Sequence, residues 1–527
     1  MSNNSADNKR IMKNTVYLYI RLFLSMAIGL YTSRVVLEIL GVDDFGLYSL
    51  VGGFVSMLSI LTGTFSGTAA RFITYEIGIG NPEILKRTIS TIINLLIIIA
   101  IGVFIIGLVG GTYLISTYLN IPPERMNAAY FVFYCSLFVF SMTLLAVPYQ
   151  AIIIAHEHMN FYAIMSIFES VAKLIVVLFL PYVSFDRLYF YAFLLALISV
   201  ISRVVYGIYC NRHFKESKYH FILDKHISKQ MTSFSVWMGI GTASGILKDQ
   251  GLNIIINIFY SLTVNAARGI CMQVMSVFSS FASNIGLAIS PQITKSYSQG
   301  DIKRSISLTF ASAKAQGYLV LVMMIPFLLE SHYILTIWLK SFPVYTQEFV
   351  CWGILISFIH AITGAFGPIY LAMGRIRNLQ LAGSLLNFMY LPVCYLCCER
   401  GINVIICMQL GFGLEILLFF MSYFYLKKVM SFPFWHFLGR VVMPMLLVGI
   451  ITLCAVYCVR IILKDESFTR LILSTVTSFV IFSISAYFIG IDDSERKIVR
   501  AAWVKRFGKY RNNINNNHQN QWSITKK

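Results

Sequence analysis

The chain has 527 residues, of which 57% are hydrophobic and only 12% are charged, with a mean hydropathy of +0.72 and a formal net charge of +19. No water-soluble domain of this length buries so large an apolar fraction, so a soluble enzyme or a soluble nucleic-acid-binding protein is excluded. Runs of about 20 apolar residues recur along the chain, and each is long enough to cross a bilayer as a helix. Because helices satisfy their own backbone groups in lipid, the composition predicts an all-α integral membrane protein.

The apolar runs predict fourteen transmembrane helices in chain order. The predicted spans are 13–37, 45–72, 89–114, a fourth ending near 155, 161–183, 188–210, 231–259, 269–293, 306–335, 349–373, 379–398, 404–426, 437–463 and 471–489. We divide the chain into an N-terminal tail (1–12), an N-terminal lobe of helices one to six (13–210), a linker (211–230), a C-terminal lobe of helices seven to twelve (231–426), helices thirteen and fourteen (437–490), and a basic, partly disordered tail (491–527).

A polar hairpin occurs twice in the sequence. Residues 73–90 and 293–307 both begin with Ile-Thr, place a glycine seven residues later (Gly80 and Gly300), and end in Lys-Arg-x-Ile-Ser. Pro148 and Pro368 then lie at matching places near the ends of apolar runs. Repeated landmarks in the same order predict a duplicated bundle, with two six-helix lobes related by a pseudo-two-fold axis along the membrane normal.

The distribution of basic residues predicts the orientation. Lys and Arg concentrate in alternate loops, whereas the opposite loops are near neutral or acidic, as at Asp43 and Asp44. Basic loops stay in the cytoplasm, so with an even helix count both termini are expected there. After residue 492 the tail fits either a basic amphipathic helix on the inner leaflet (494–510) or an ordinary charged tail, and 512–527 is predicted to be disordered.

Charges inside apolar spans are the candidate functional residues, because each costs about 2.5–3.5 kcal/mol at mid-bilayer unless it faces protein or water. Arg21 lies about 12 Å along its helix from Lys13, too deep to snorkel easily. A net cationic cavity between the lobes fits an anion carried by an amphiphile. The alternative is structural pairing, as for Glu169 and Lys173, which lie four residues apart on one helical face. The basic candidates are Arg21, Arg34, Lys173, Lys248, Arg268 and Lys314, and the acids that would pair with them or bind a coupling ion are Glu38, Glu169 and Asp249.

Other chemistries have little support in the sequence. His156, Glu157 and His158 lack the i, i+4 histidine spacing of a metal-binding helix, so they are interpreted as boundary residues. No glycine-rich phosphate loop precedes a Lys-Ser or Lys-Thr pair, and the ten cysteines are scattered through apolar runs as packing residues. We therefore predict no catalytic site, no metal and no cofactor, and leave a coupling ion, H⁺ or Na⁺, open.

Several stretches resemble bacterial polysaccharide (O-antigen-type) flippases of the multidrug/oligosaccharidyl-lipid/polysaccharide exporter superfamily, which have fourteen helices in two lobes. The similar stretches are 34–50 (RVVLEILGVDDFGLYSL), Ala70-Arg71-Phe72, the two hairpins and the Pro148 region. The resemblance implies that an undecaprenyl-diphosphate-linked oligosaccharide crosses the bacterial inner membrane by alternating access, for surface polysaccharide or lipopolysaccharide biosynthesis. It also implies basic substrate-binding residues in helix one and at the start of helix eight, which Arg21 and Arg268 match by position.

The same resemblance implies membrane lipid, a polysaccharide polymerase and glycosyltransferases as partners, and no nucleic acid. One stretch departs from the family pattern, because 260–268 replaces the usual glycine-rich turn. Two alternatives stay open. A cation-coupled multidrug exporter of the same superfamily would need an acid in the first lobe, and a membrane polymerase or transferase would need a large outer loop.

Overall fold

The computed structural model describes residues 2–118, 123–260, 262–430, 432–491 and 496, and the described residues form helices and no strand. The predicted tail helix and disordered tail lie outside them, apart from Arg496. The helices are α1 Ser2–Met57, α2 Ser59–Ile79, α3 Pro82–Tyr118, α4 Met126–Ala155, α5 Met159–Phe179, α6 Arg187–His213, α7 Lys225–Phe259, α8 Leu262–Ser298, α9 Ile302–Leu329, α10 Ser331–Leu339, α11 Thr346–Gly364, α12 Gly367–Met373, α13 Arg377–Glu399, α14 Ile405–Met430, α15 Phe434–Phe437, α16 Met443–Ile462 and α17 Phe468–Ser485.

Eleven segments of the described chain are long and apolar enough to cross a membrane. They contain α3 to α6, α8, α9, α11 with α12, α13, α14, α15 with α16, and α17. The fourteen predicted spans are therefore confirmed only in part, since spans one, two and seven are not among the eleven. Span seven carries Lys248 and Asp249 and is rich in Gly and Ser, which lowers its hydropathy.

The chain reverses direction between Arg10 and Gly78. Both residues lie beside Lys295, because Arg10 and Lys295 share the Glu157 carboxylate and a Cβ at Gly78 would lie 3.1 Å from the Lys295 carbonyl oxygen. The intervening helices must therefore cross the protein and return. Residues 41–44, between the first two predicted spans, are helical within α1, and Asp44 pairs there with Arg125 just before α4, at the opposite end of α4 from Glu157.

Helix contacts form two groups with the same pairing pattern. In the N-terminal bundle (α1–α6), α1 packs on α5, α2 on α4 and α4 on α6. In the C-terminal bundle (α7–α14), the equivalent pairs are α7 with α13, α8 with α11 and α11 with α14. Between the bundles, α1 meets α8, α2 meets α7, and α2 also meets α8. The same order of helix pairings thus occurs in both groups.

The two hairpins have the same backbone geometry. Gly80 and Gly300 both have φ +81°, a left-handed conformation that favours glycine after a helix. The residue after each glycine caps the next helix, since the side chain of Asn81 accepts from Glu83 N–H and that of Asp301 accepts from Arg304 N–H. We call the end of the bundles that carries both hairpins the hairpin end.

The last helix is attached to the C-terminal bundle by a buried ion pair. Arg470 of α17 donates to the Glu330 carboxylate at 2.7 and 3.0 Å, and both residues are 2% exposed. Ser474 donates to the other Glu330 oxygen at 3.1 Å. The full set of partners offsets the cost of burying both charges.

Candidate functional site

The bundles touch along two seams near the hairpin end. In the first seam, formed by α1 and α8, the Tyr19 hydroxyl donates to the Phe281 carbonyl at 2.7 Å. In the second seam, formed by α2 and α7, Ser235 donates to the Thr68 hydroxyl at 3.0 Å. Gly78 of α2 lies against Ser298 of α8. Gly78 and Ser298 each lie two residues before the hairpin glycine, so matching positions of the two hairpins meet each other.

Glu157 closes the first seam at the hairpin end. Its carboxylate accepts from Arg10 of α1 at 2.7 and 3.0 Å, from Gln292 at 2.8 and 3.0 Å, and from Lys295 at 3.0 Å, the last two on α8. Its side chain is fully buried (0% exposed). We call Glu157, Arg10, Gln292 and Lys295 the Glu157 lock.

The charge state of the lock follows from its partners. Burial raises the pKa of Glu157, but the nearby Lys295, Gln292 and Arg10 lower it by more, so the pKa lies below its usual value. The carboxylate is ionised at neutral pH. From the sequence, Glu157 is predicted only as a boundary residue, because the partners that give it a role lie more than 130 residues away.

A charged cluster lies far from the lock, inside the C-terminal bundle. Lys248 of α7 is 3.6 Å from one Glu415 oxygen, and the His360 ring is 3.4 Å from the other. Arg268 of α8 is 3.5 Å from Asp249. Arg268 and Glu415 are buried, at 3% and 5% exposure.

This cluster is about 35 Å along α7 from Asp224, which pairs with Arg87 at the hairpin end. The structure thus brings together three predicted candidates, Lys248, Asp249 and Arg268. It adds His360 and Glu415, which the sequence analysis missed although an acid in the middle of an apolar run is a recognisable signal.

Arg21 lies between the Glu157 lock and this charged cluster, in a crevice between the bundles. It donates to the Asn284 side-chain oxygen at 2.9 Å, and its guanidinium lies 5.1 Å from the Tyr162 ring centroid. The crevice has a volume of about 460 Å³ and is lined by residues of α1, α5 and α8. In the described part of the chain no carboxylate lies within ion-pair distance of Arg21, so its charge is not neutralised.

Glu169 and Lys173 line a separate cavity of about 400 Å³ inside the N-terminal bundle. The cavity is also lined by Tyr48, Gln150 and Tyr191. The two charged side chains share this space, and no ion pair within 4.0 Å joins them among the described contacts.

The remaining candidates lie elsewhere. The side chain of Arg34 is outside the described residues, Glu38 is exposed on α1, and Lys314 is buried in α9 away from the cavities described above. The candidates therefore form several sites and not one. No group of three or more His, Cys, Asp or Glu able to hold a metal occurs within the described residues.

Comparison with known proteins identifies the fold. A family model described as polysaccharide biosynthesis protein matches residues 11–297. The structure of a MATE protein in the straight conformation has a TM-score of 0.67 at 13% identity, covering 81% of this chain and 97% of that one. A mutant of the Vibrio cholerae MATE transporter VcmN has a TM-score of 0.68 at 13% identity, covering 82% and 100%.

A third structure is an outward-facing conformation of a multidrug resistance MATE family transporter of the MOP superfamily, with a TM-score of 0.66 at 13% identity, covering 80% and 97%. No curated protein matches. At this identity the solved structures show the shared fold alone.

Proposed function

The chain belongs to the polysaccharide biosynthesis protein family, and from this premise we propose that it flips a polyprenyl-diphosphate-linked oligosaccharide across the bacterial inner membrane. In this proposal twelve of the fourteen helices form two lobes of six, and two further helices follow them. Both termini are cytoplasmic, and the hairpin end faces the cytoplasm. The lipid-linked glycan is the substrate, and a polymerase and glycosyltransferases act with the protein in making a surface polysaccharide.

The observation that carries the proposal is the un-neutralised Arg21 in the crevice between the bundles. A guanidinium fork suits phosphate oxygens, and its neutral partners Asn284 and Tyr162 leave the charge available to an anion. A carrier diphosphate bound there would keep its sugar in the aqueous crevice and its prenyl chain in lipid. The Glu157 lock supports a state closed to the cytoplasm, one of the two that alternating access requires.

A second candidate function is cation-coupled multidrug export. It is favoured by Glu169, an acid within a cavity of the first bundle, and by the MATE fold. Lys173 lines the same cavity and supplies a positive charge in place of a coupling ion or a cationic drug. This observation favours the flippase.

Deleting the chain in its native host separates the two functions. We expect loss of surface polysaccharide and accumulation of the lipid-linked repeat unit in the inner leaflet, with unchanged efflux of a cationic dye such as ethidium. Normal surface polysaccharide together with lost ethidium efflux would establish the exporter instead. A Glu169→Gln variant provides a further comparison, because an exporter coupled through that acid would lose efflux.

A further inference from the structure

A basic pocket lies at the hairpin end of the second seam. It has a volume of about 830 Å³ and lies between α2, the first turns of α7 and the link from α12 to α13. Its walls also contain the aromatic rings of Phe234, Trp237 and Tyr425. We call it the basic pocket, and its basic lining residues are Arg71, His226, Lys229, Arg375 and Arg377.

No ion pair among the described residues neutralises the basic pocket. No carboxylate lies within ion-pair distance of Arg71, Lys229, Arg375 or Arg377 in that part of the chain. Glu76, on the same helix as Arg71, lies beyond ion-pair distance but close enough to interact electrostatically with Arg71 and offset part of its charge. Four like charges around one open cavity repel each other, so an anion bound among them lowers the electrostatic energy.

Two of the arginines are held in place by neutral partners. Arg71 Nε donates to the Leu371 carbonyl at 2.8 Å, and its guanidinium lies 4.4 Å from the Phe72 ring centroid. The Arg377 guanidinium lies 4.9 Å from the Trp237 ring centroid. Aromatic stacking orients a guanidinium and leaves N–H groups free for an anion.

The backbone at the start of α13 adds to the positive potential in the pocket. Helix α13 begins at Arg377, and the preceding Ile376 supplies no side-chain cap for its first N–H groups. Ile376, Arg377 and Asn378 all line the pocket. An uncapped helix N-terminus favours an anion through its free N–H groups and the helix dipole.

The two seams differ in charge at the hairpin end. The repeat relates the α1–α8 seam to the α2–α7 seam. Glu157 is the second residue after α4, and the second residue after α12 is Arg375. The link after α4 thus supplies an acid to the hairpin end of the first seam, whereas the link after α12 supplies the bases Arg375 and Arg377 to the second.

We propose that the basic pocket binds the phosphate-bearing headgroup of a lipid from the adjacent leaflet. The proposal rests on the proposed function, in which that headgroup is the diphosphate of the glycan carrier before it enters the space between the bundles. The volume exceeds that of a diphosphate, and Trp237 and Tyr425 provide flat faces for the first sugar. An anionic phospholipid headgroup also carries a phosphate and is the other lipid that could supply the ligand.

Binding to the purified full-length protein tests the proposal. The probes are farnesyl diphosphate, phosphatidylglycerol and inorganic diphosphate, measured by native mass spectrometry and by thermophoresis. We expect Arg375→Ala and Arg377→Ala each to weaken farnesyl diphosphate binding by about ten-fold, through loss of charged hydrogen bonds. Lys427→Ala and Lys428→Ala are matched controls, since both lysines are exposed at the end of α14 and do not line the pocket.

The probes distinguish the sources. Farnesyl diphosphate binding that phosphatidylglycerol does not displace, and that the pocket variants lose, assigns the pocket to the carrier. Phosphatidylglycerol binding lost in the same variants assigns it to bulk lipid. Unchanged affinity for both lipids in a well-folded Arg375→Ala/Arg377→Ala double variant overturns the proposal.

Headgroup binding in the basic pocket and flipping of the lipid-linked glycan can be refuted independently of each other. If wild-type proteoliposomes do not flip a fluorescent prenyl-diphosphate saccharide while phosphatidylglycerol binds the pocket, the function fails and the pocket stands. If the double variant flips that saccharide at the wild-type rate and binds all probes normally, the pocket fails and the function stands.

Discussion

At the scale of single residues, the partners of a charge determine whether it is available to a ligand. Arg21 has the neutral partners Asn284 and Tyr162, whereas Arg268 is buried against Asp249. Both were predicted as substrate-binding residues by position, and Arg21 also by its depth in the first span. The structure makes Arg21 the stronger candidate, because an ion-paired arginine must first exchange its carboxylate for the substrate.

Substitution of Arg21 tests this distinction. Arg21→Lys keeps the charge but loses the planar fork, so transport is expected to fall in part, and Arg21→Ala is expected to abolish it. Surface polysaccharide, normalised to the protein in the membrane, is the measurement. Lys13→Ala, an exposed position on the same helix, is the control. Normal export by a well-expressed Arg21→Ala protein would refute the site, and loss of the protein itself would indicate a structural role.

Glu157→Gln is expected to open the hairpin end. Removing one partner of a buried ion pair costs about 3–5 kcal/mol, enough to shift a two-state equilibrium by roughly 100-fold or more. A single cysteine at Ala288, which is buried against Leu18, should then react with a maleimide in a cysteine-free background. Glu216→Gln is the control, because Glu216 pairs with His156 and not across the seam. Equal labelling of wild type and Glu157→Gln would contradict the lock.

The same carboxylate predicts how pH affects the lock. A glutamate with a lowered pKa contributes stability that is present above its unfolded pKa of about 4.3 and is lost as the pH falls through the lower folded value. Accessibility at Ala288, followed with 4,4′-dithiodipyridine because maleimides react too slowly in acid, is therefore expected to stay low from neutral pH to about pH 5. It should rise only in stronger acid.

At the scale of helices, close approach of α2 and α8 seals the hairpin end. The approach is possible because residue 78 is glycine: a Cβ there would meet the Ser298 hydroxyl and lie 3.1 Å from the Lys295 carbonyl oxygen. Small residues allow two membrane helices to pack this closely. The seal therefore depends on one missing side chain as well as on the Glu157 lock.

The Gly78→Leu variant tests this close packing, since the leucine side chain would force α2 and α8 apart. We expect increased labelling at Ala288 and reduced transport. Gly63→Leu in the same helix is the matched control, because a Cβ at Gly63 has nothing within 4 Å. A Gly78→Leu protein that transports and labels like the wild type would show that the helices do not need this contact.

Arg470→Ala is expected to destabilise the attachment of α17. It leaves Glu330 buried without its cation, at a cost of about 3–5 kcal/mol, so the unfolding temperature in detergent should fall clearly. Arg460→Ala removes an exposed arginine of α16 and should leave that temperature unchanged. Equal unfolding temperatures for both variants would mean that the ion pair does not hold the helix.

At the scale of the whole molecule, the repeat and the two unequal seams suggest how the bundles move. Equivalent positions meet at Gly78 and Ser298, and the seams on either side differ in charge. Rocking of one bundle against the other would break the Glu157 lock while the basic pocket changes shape. A ligand in the pocket would thus bind the two states unequally, which is what couples binding to movement.

The orientation of the molecule is tested at the hairpins. Single cysteines at Asn81 and Gln299, the exposed residues beside the two hairpin glycines, should both react only with a reagent applied from the cytoplasm. Reaction of either one from outside would refute the two-lobe topology. A cysteine at Lys464, between α16 and α17, should react only from outside and is the control.

The sequence by itself determined the all-helical membrane class, most of the helix positions, and the two hairpins with their matching glycines. These features depend on hydropathy and turn chemistry, which are read within a few residues of each position. Only the tertiary structure decided which charges meet. Glu157 pairs with Lys295 and Glu415 pairs with Lys248, each more than 130 positions away, because helix packing, and not spacing along the chain, brings them within 4 Å.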